Sequence, residues 1–474
     1  MGLSPIIELI PQDYYQKIHD ASMQILKKKG IIYHSVEALE VFKKHGAKVE
    51  NETVYFNDKL IEDIIGNCRP KFVWKAREPK NTLTVGEDFI VQPNIGPVFI
   101  QEMDKTRRPG LLKDFINFQK LCQAIDTIDV TGTSPVDADD VAPNVKHLHM
   151  MFEAIKVTNK PLIGYVNGTG IVRKTLDMVE LVVGGKNEFE SNHYVGIGVN
   201  PLSPLKWAPE VIETIIEYSK RNQAVFVLPC ILAGVSGPIS LMETAILQNA
   251  EILSGIALVK LVNPSAAVVY APGSTAAYMK TASYCTGTPE GLMLNIANVQ
   301  MGRDFYKLPT RTMSGMTDAK YPDFQAGAET MQNLMLGILG GANIVLEVLG
   351  TLDSLMASSY EKLILDVELI ERVKRIRQRF QGFDVSFSTE AILEVDHGNS
   401  FLEHNSTYEH FRSRWTPSIS DWDAYENWEG AGKPDINAAA NRKWKAILAT
   451  APDCLLEPEQ LKALEDYFSN ALKF

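Results

Sequence analysis

The sequence predicts an α/β chain: a (β/α)8 TIM barrel with mostly helical N-terminal and C-terminal extensions. Three observations predict it. Eight short apolar runs rich in β-branched residues recur, each followed by room for one helix. The runs are apolar at nearly every position, as parallel strands covered on both faces are. No GxGxxG and no GxxxxGK[ST] occurs, so nothing points to an open sheet built around a phosphate loop.

The elements follow in order. Tyr14 to Gly30 has helical spacing and stops at a glycine. Ser35 opens a second helix, and Val54–Phe56 and Phe72–Trp74 read as short strands. The eight barrel strands are Phe89–Asn94, Ile128–Ser134, Pro161–Val166, Tyr194–Asn200, Ala224–Cys230, Ala266–Pro272, Leu308–Ser314 and Asn343–Gly350. Helices between them include Pro209–Arg221, Leu241–Val259 and Pro289–Tyr306. Thr288, Pro289 and Glu290 combine an N-cap, a proline at the first helical position and a first-turn acid. Asp323 caps a helix that stops at Gly340-Gly341. Tyr360 to Phe380 is a long helix, acidic early and basic late, which suits the helix dipole. Residues 1–85 thus form an N-terminal α+β extension, 86–380 the catalytic barrel and 381–474 a C-terminal extension packed on it. Trp415, Trp422, Trp428 and Trp444 fall in the last part. They read either as a seal on the barrel or as an aromatic surface for a partner or the substrate mouth.

Composition narrows the function. The formal charge of −11 disfavours nucleic-acid binding, which needs a basic surface. Five scattered cysteines without CxxC spacing disfavour a disulfide framework or zinc ribbon and suit a reducing cytoplasm. No basic stretch leads into an apolar run at the start and no 18-residue apolar stretch occurs, so neither a signal peptide nor a membrane span is expected.

In a barrel the active site lies at the C-terminal strand ends. Those ends carry Asn94, Ser134, Tyr165 with Asn167, Asn200, Cys230, Tyr270, Ser314 and Glu347. The set has no histidine and one carboxylate. A metal hydrolase needs several His and Asp there, and a glycosidase needs two carboxylates, for which only Glu329 or Asp318 of the seventh loop and helix would join Glu347. Hydrolysis is disfavoured. His147 and His149 point to different helix faces, so they make no metal pair. Cys230 reads as a small buried residue, since a thiolate needs a base the sequence does not name. The loop from Ser314 to Asp323 is long for a strand-to-helix connection and suits a functional role.

A set of motifs then resembles a known family. Asn200-Pro-Leu-Ser-Pro204, Leu228-Pro-Cys230, Leu247-Gln-Asn-Ala-Glu251, Gly287-Thr-Pro-Glu290, the run from Asp318 to Glu329, Leu339-Gly-Gly-Ala-Asn343 and Ser359-Tyr-Glu-Lys362 occur in this order. Together they resemble the trimethylamine methyltransferase (MttB) superfamily, from about residue 10 to 470. Phe401-Leu-Glu-His404 fits too, although Asn405 and Ser406 depart from the Pro-His that often follows. The chain has only the twenty standard residues, so it is similar to the non-pyrrolysine branch, whose members demethylate quaternary amines such as glycine betaine, proline betaine, carnitine and γ-butyrobetaine.

The resemblance implies a (β/α)8 barrel and methyl transfer to the Co(I) of a corrinoid (cobalamin) carried by a partner protein, with no metal bound by this chain. A quaternary amine leaves as a neutral tertiary amine, so the enzyme needs no general acid; it holds the methyl in line and excludes water. In that reading Glu347 and Glu329 are the catalytic candidates, Glu347 facing the ammonium charge and Glu329 supporting the seventh loop. Tyr165, Tyr270, Phe324 and Tyr360 are candidate faces for the cation, and Asn200, Ser314 and Lys320 candidate donors to a betaine carboxylate. The expected partners are the corrinoid protein, the small quaternary amine and further copies of the chain. Two other readings stay open: a barrel lyase or hydrolase working without corrinoid, and a non-catalytic quaternary-amine binder.

Overall fold

The computed structural model describes residues 7–473. Parallel strands Leu162–Ile163, Val195–Val199, Ala224–Val227 and Val268–Tyr270 lie side by side in chain order, with Gly196 opposite both Ile163 and Ala224. A second parallel set runs Arg311–Met313, Ile344–Leu346 and Ile90–Val91. A parallel bridge from Tyr270 to Thr310 links the two sets, and another joins Thr131 to Leu162. Every one of the eight expected runs therefore contributes parallel pairing. The run at 128–134 is the least regular. Its Asp129 N–H donates to the Val91 carbonyl at 3.1 Å, but the Asp129 carboxylate, not a carbonyl, takes the Val91 N–H at 2.7 Å. Pro161, which starts the adjoining run, has no N–H to add to the ladder.

Side chains alternate across these strands, as a pleated backbone requires. Ala224, Phe226 and Leu228 share one buried cluster with Val269, Ala271, Met313, Ile344 and Leu346. Their neighbours Val225, Val227, Val268, Tyr270 and Val345 pack in a second cluster, which extends from Ile10 to Ala471 and takes in the helices. The first cluster is the inner face of the parallel strands and the second the outer layer.

A hairpin of Phe72–Trp74 with Leu83–Val85 plugs the N-terminal end of the inner face. The Trp74 indole donates to the Tyr194 carbonyl at 3.2 Å and meets Phe226 edge-on at 5.4 Å. Gly196 makes this possible, because a Cβ there would stand 2.6 Å from Phe226 and 2.9 Å from Trp74. The rest of the N-terminal unit is welded on through Ile31–Tyr33, which pairs in parallel with Lys206–Trp207.

Helix starts are set by the expected caps. Ser35 Oγ accepts the Ala38 N–H at 3.3 Å, Thr288 Oγ1 the Gly291 N–H at 3.2 Å, and Asp323 Oδ1 the Ala326 N–H at 3.1 Å. The helix Pro289–Gln300 passes into a single π turn, Met301–Phe305. Leu241–Val262 is long and apolar enough to cross a membrane, which the absence of an unbroken apolar stretch did not reveal. It is instead a core helix, buried on nearly every side. Several of its polar groups are paired inside the fold: Asn249 donates to Ser22 and Tyr306 at 2.9 Å each, and Gln248 Oε1 accepts from Gly273 and Ser274.

At the C-terminal side, Ile436–Thr450 packs on Tyr360–Arg377 and Pro458–Ala471 on Thr169–Val183. Trp444 stacks on Tyr360 at 4.5 Å, and Tyr360 on Phe118 at 4.4 Å, so this tryptophan seals the outer layer. A fully buried ion pair ties the same layer: Lys362 Nζ reaches Asp366 at 2.7 Å and Thr330 Oγ1 at 2.9 Å, while Asp366 accepts the Gly350 N–H. Burial pushes the Asp366 carboxyl up to about 6 against the pull of Lys362. Lys362→Met strands that carboxylate, so guanidinium unfolding should show a loss of about 3–5 kcal/mol.

Candidate active site

The inner face of the parallel strands holds a cationic group. Arg311 sits in the strand Arg311–Met313 with no exposure to solvent. Its guanidinium lies 5.3 Å from the Phe226 ring centroid, and a Cβ on Gly198 would stand 3.2 Å from Nη1. The alternating Gly196 and Gly198 thus leave a trough on the inner face, and Arg311 fills part of it. None of its three guanidinium nitrogens has a hydrogen-bond partner among the described residues. Burial pushes its pKa down, and Glu347 and Cys230 push back. A guanidinium nevertheless keeps its charge at neutral pH.

Glu347 supplies the acidic partner. Leu346 faces inward, so strict alternation would send Glu347 out. Instead Glu347 has a left-handed backbone, φ 61°, at the end of Ile344–Leu346. Such a conformation in a residue other than glycine is costly and concentrates at functional sites. The carboxylate accepts the Ile95 N–H at 3.1 and 3.2 Å and feels Arg311 electrostatically without a direct bond to it. Burial raises its pKa well above the ordinary carboxylate range, with the Ile95 N–H and Arg311 opposing.

Around this pair stand groups with unused polar capacity and a soft wall. Both carboxamide atoms of buried Gln92 lack partners, as does Asn94 Oδ1. Tyr284 places its hydroxyl 3.3 Å from the Gly273 carbonyl and 3.4 Å from Met313 Sδ. Exposed Asn200 donates to Cys230 Sγ at 3.1 Å. Burial, with Glu347 adding to it, pushes the Cys230 thiol up to about 12, so it is a neutral wall group and not a thiolate.

Two carboxylates brace the surrounding loops. Asp318 accepts the N–H groups of Thr286 and Gly287 at 2.9 and 3.0 Å and the Ser354 hydroxyl. Glu329 accepts Thr317 Oγ1 at 2.6 Å and the Asp318 N–H at 2.8 Å. Gly287 is packed so tightly that a Cβ would stand 2.4 Å from the Glu329 carboxyl. No group of three or more His, Cys, Asp or Glu side chains placed to hold a metal occurs among the described residues.

The family model described as trimethylamine methyltransferase (MTTB) matches residues 2–471. The chain belongs to that family. It is 34% identical over 459 residues to the glycine betaine methyltransferase of Desulfitobacterium hafniense (strain Y51), covering 96% of this chain and 95% of that one. It is 29% identical over 420 residues to the proline betaine:corrinoid methyltransferase of Eubacterium limosum, covering 85% and 84%. The crystal structure of the Methanosarcina barkeri monomethylamine methyltransferase is alike in fold, with a TM-score of 0.51 and 14% identity over 94% of this chain and 90% of that one.

Within this family member, the residues expected from sequence divide by strand phase. Glu347, Asn200 and Cys230 stand at the strand ends, and Arg311 rises from the start of its strand on the same inner face. Tyr165 and Tyr270 face the other way. Tyr165 donates to the Gly132 carbonyl at 2.7 Å and stacks on His147, and the Tyr270 hydroxyl lies 2.8 and 2.9 Å from Asn249 and Asn298 on helices. Ser314 also turns outward, against Gly337 of the helix Phe324–Leu339. Tyr360 donates to Asp114 at 2.8 Å in the outer layer. Lys320 pairs with Asp353 at 3.0 Å on the surface, and Phe324 is 91% exposed. Glu329 works on the loop, bonding Thr317 and Asp318. These six side chains other than Glu329 do not join the Arg311–Glu347 centre; period-2 phasing and helix packing put them elsewhere.

Arg311, Gln92 and Tyr284 are the groups that strand-end reasoning missed. The available signal was a charged residue inside the apolar run Leu308–Ser314, opposite a strand with glycine at alternate positions. The placement has a direct check. Tyr270→Phe should lower stability by about 1 kcal/mol, the worth of a buried hydrogen bond, and leave kcat and KM unchanged in steady-state assays.

Proposed function

We propose that this chain is a quaternary-amine:corrinoid methyltransferase acting on a betaine, with the methyl group passing to the Co(I) of a corrinoid protein. The carrying observation is the buried, unpartnered guanidinium of Arg311 beside Glu347. A buried guanidinium and a carboxyl that a bound cation would ionise, in one apolar enclosure, fit a small zwitterion. The betaine carboxylate takes the bidentate donors of Arg311. The quaternary ammonium, which has no N–H to donate, lies towards the Glu347 carboxylate and the Phe226, Tyr284 and Met313 surfaces. Methyl transfer from such a cation releases a neutral tertiary amine, so the high pKa of Cys230 and the lack of a histidine cost the reaction nothing.

The two ends of the inner face have separate tasks. The Trp74 plug closes the N-terminal end and helps exclude water. The opposite end, where Asn200 is exposed and Cys230 partly so, faces the acceptor. The corrinoid partner supplies the nucleophile that takes the methyl group. This chain holds the donor: Arg311 anchors it, Glu347 offsets its charge, and Asp318 with Glu329 keeps the loops of the mouth in place. In the same reading the eight parallel runs close as a (β/α)8 barrel spanning 86–380, with extensions 1–85 and 381–474.

Following the Co(I) absorbance with the cognate corrinoid protein, while offering glycine betaine, proline betaine, carnitine and γ-butyrobetaine, tests the function. Loss of the Co(I) band with one of them supports it; a stable band with all of them overturns it. Arg311→Met should raise KM for the betaine roughly 100-fold, as expected for removing one partner of a buried charge pair. Binding should also depend on pH. A cation beside Glu347 favours its ionised form, so affinity falls as pH drops through the raised pKa of that carboxyl. Calorimetry in buffers of different ionisation heat should show proton release on binding near neutral pH; pH-independent affinity counts against the role of Glu347.

A further inference from the structure

From Gln378 to Ile436 no described residue is buried. The stretch is nevertheless rich in apolar side chains. Phe380, Phe387, Leu393, Leu402, Tyr408 and Trp422 are each more than 60% exposed, with Phe387 at 93%. Residues of this size present on the order of 1,000 Å² together. Summed, that is close to the ~800 Å² that one partner gives to a standard interface.

Polar anchors, with Ile419 packed against the core, fix this arm to its own chain. Glu368 accepts the N–H groups of Ser418, Ile419 and Ser420 at 2.9, 2.7 and 3.1 Å. Burial alone would push its carboxyl up, but the Ser420 hydroxyl, Arg372 and these N–H groups outweigh it and hold the pKa at about 2. Asp384 bonds Arg375 and Arg414 at 2.6 Å each, and Arg372 lies 4.6 Å from the Trp415 ring centroid. The arm is thus held in a defined shape while Phe380, Phe387, Leu393, Leu402 and Tyr408 stay largely exposed.

Charge argues for what covers them. Residues 381–430 carry ten Asp and Glu against two Arg, a formal −8 of the chain's −11, which leaves −3 for everything else. Two arms laid together would oppose like charges. An arm against a lysine-edged part of the body of another copy would not. The body offers an open apolar cleft of about 730 Å³ between the helices Asp13–Lys28 and Leu241–Val262, lined by Ile25, Leu205, Val235, Ile246 and Leu247. Exposed Lys28 and Lys29 flank it against the single carboxylate of Glu243.

We propose that the 378–436 arm is a self-association element whose aromatic and aliphatic side chains seat in this lysine-edged cleft of a second copy of the chain. The proposal goes beyond the catalytic reading and does not depend on it.

Light scattering and cross-linking on the full chain test it. The wild-type mass at micromolar concentration should be a multiple of 52.7 kDa. Phe387→Ser with Leu393→Ser and Leu402→Ser should weaken association on the order of 100-fold or more, with the far-ultraviolet circular dichroism of the wild type. Val235→Asp, an exposed position in the cleft, should do the same from the other side. A photo-cross-linker replacing Leu393, in a mixture of isotopically heavy and light chains, should join heavy to light at peptides of the cleft. A monomeric wild type, an unchanged mass in both variants, or cross-links confined to one chain overturns the proposal. Cross-links that form only onto an added corrinoid protein also overturn it, and assign the arm to that partner.

Discussion

A guanidinium inside an apolar enclosure, with none of its nitrogens hydrogen-bonded within the chain, is expensive to maintain. Isolated charge in a low-dielectric interior costs several kcal/mol even after relaxation. Arg311 is held in that condition by its surroundings. Gly198 leaves room beside it, Phe226 offers an aromatic face, and Glu347 answers its charge from a strained backbone position without closing a salt bridge. A direct pair would satisfy the two groups with each other. Keeping them apart leaves both available to a ligand that carries both signs of charge.

The fold around the pair reads as support for that arrangement. The N-terminal hairpin fills the far end of the inner face, so its Trp74 meets Phe226, which in turn lies against Arg311. The outer layer of Tyr165, Tyr270 and Tyr360 is locked by hydrogen bonds to groups off the inner face. Asp318 and Glu329 collect main-chain donors from the loops above. Each of these is a rigid contact, and rigidity is what positions a methyl donor whose leaving group needs no proton.

Much of this was legible in the sequence, for identifiable reasons. The strand runs stood out because strands buried on both faces are apolar at almost every residue. Caps at Ser35, Thr288 and Asp323 stood out because few residue types satisfy a helix start. Inward and outward phase was harder. An apolar run hides its own alternation, so Tyr165, Tyr270 and Ser314 looked equivalent to Asn200 until the neighbours were known. Glu347 was found although it breaks the alternation, because it was the one charge at a strand end. Arg311 was overlooked because it enters the inner face from the start of its strand and depends on a glycine of another strand, Gly198, for room. No one-dimensional pattern links those positions.

The most direct test is a crystal structure of the protein with a bound betaine. The carboxylate is predicted to lie within hydrogen-bond distance of two Arg311 nitrogens, with the trimethylammonium group towards Glu347 and one methyl facing the open, Asn200 end. A betaine bound with its carboxylate at the mouth, or bound while the Arg311 guanidinium remains without a partner, would contradict the account.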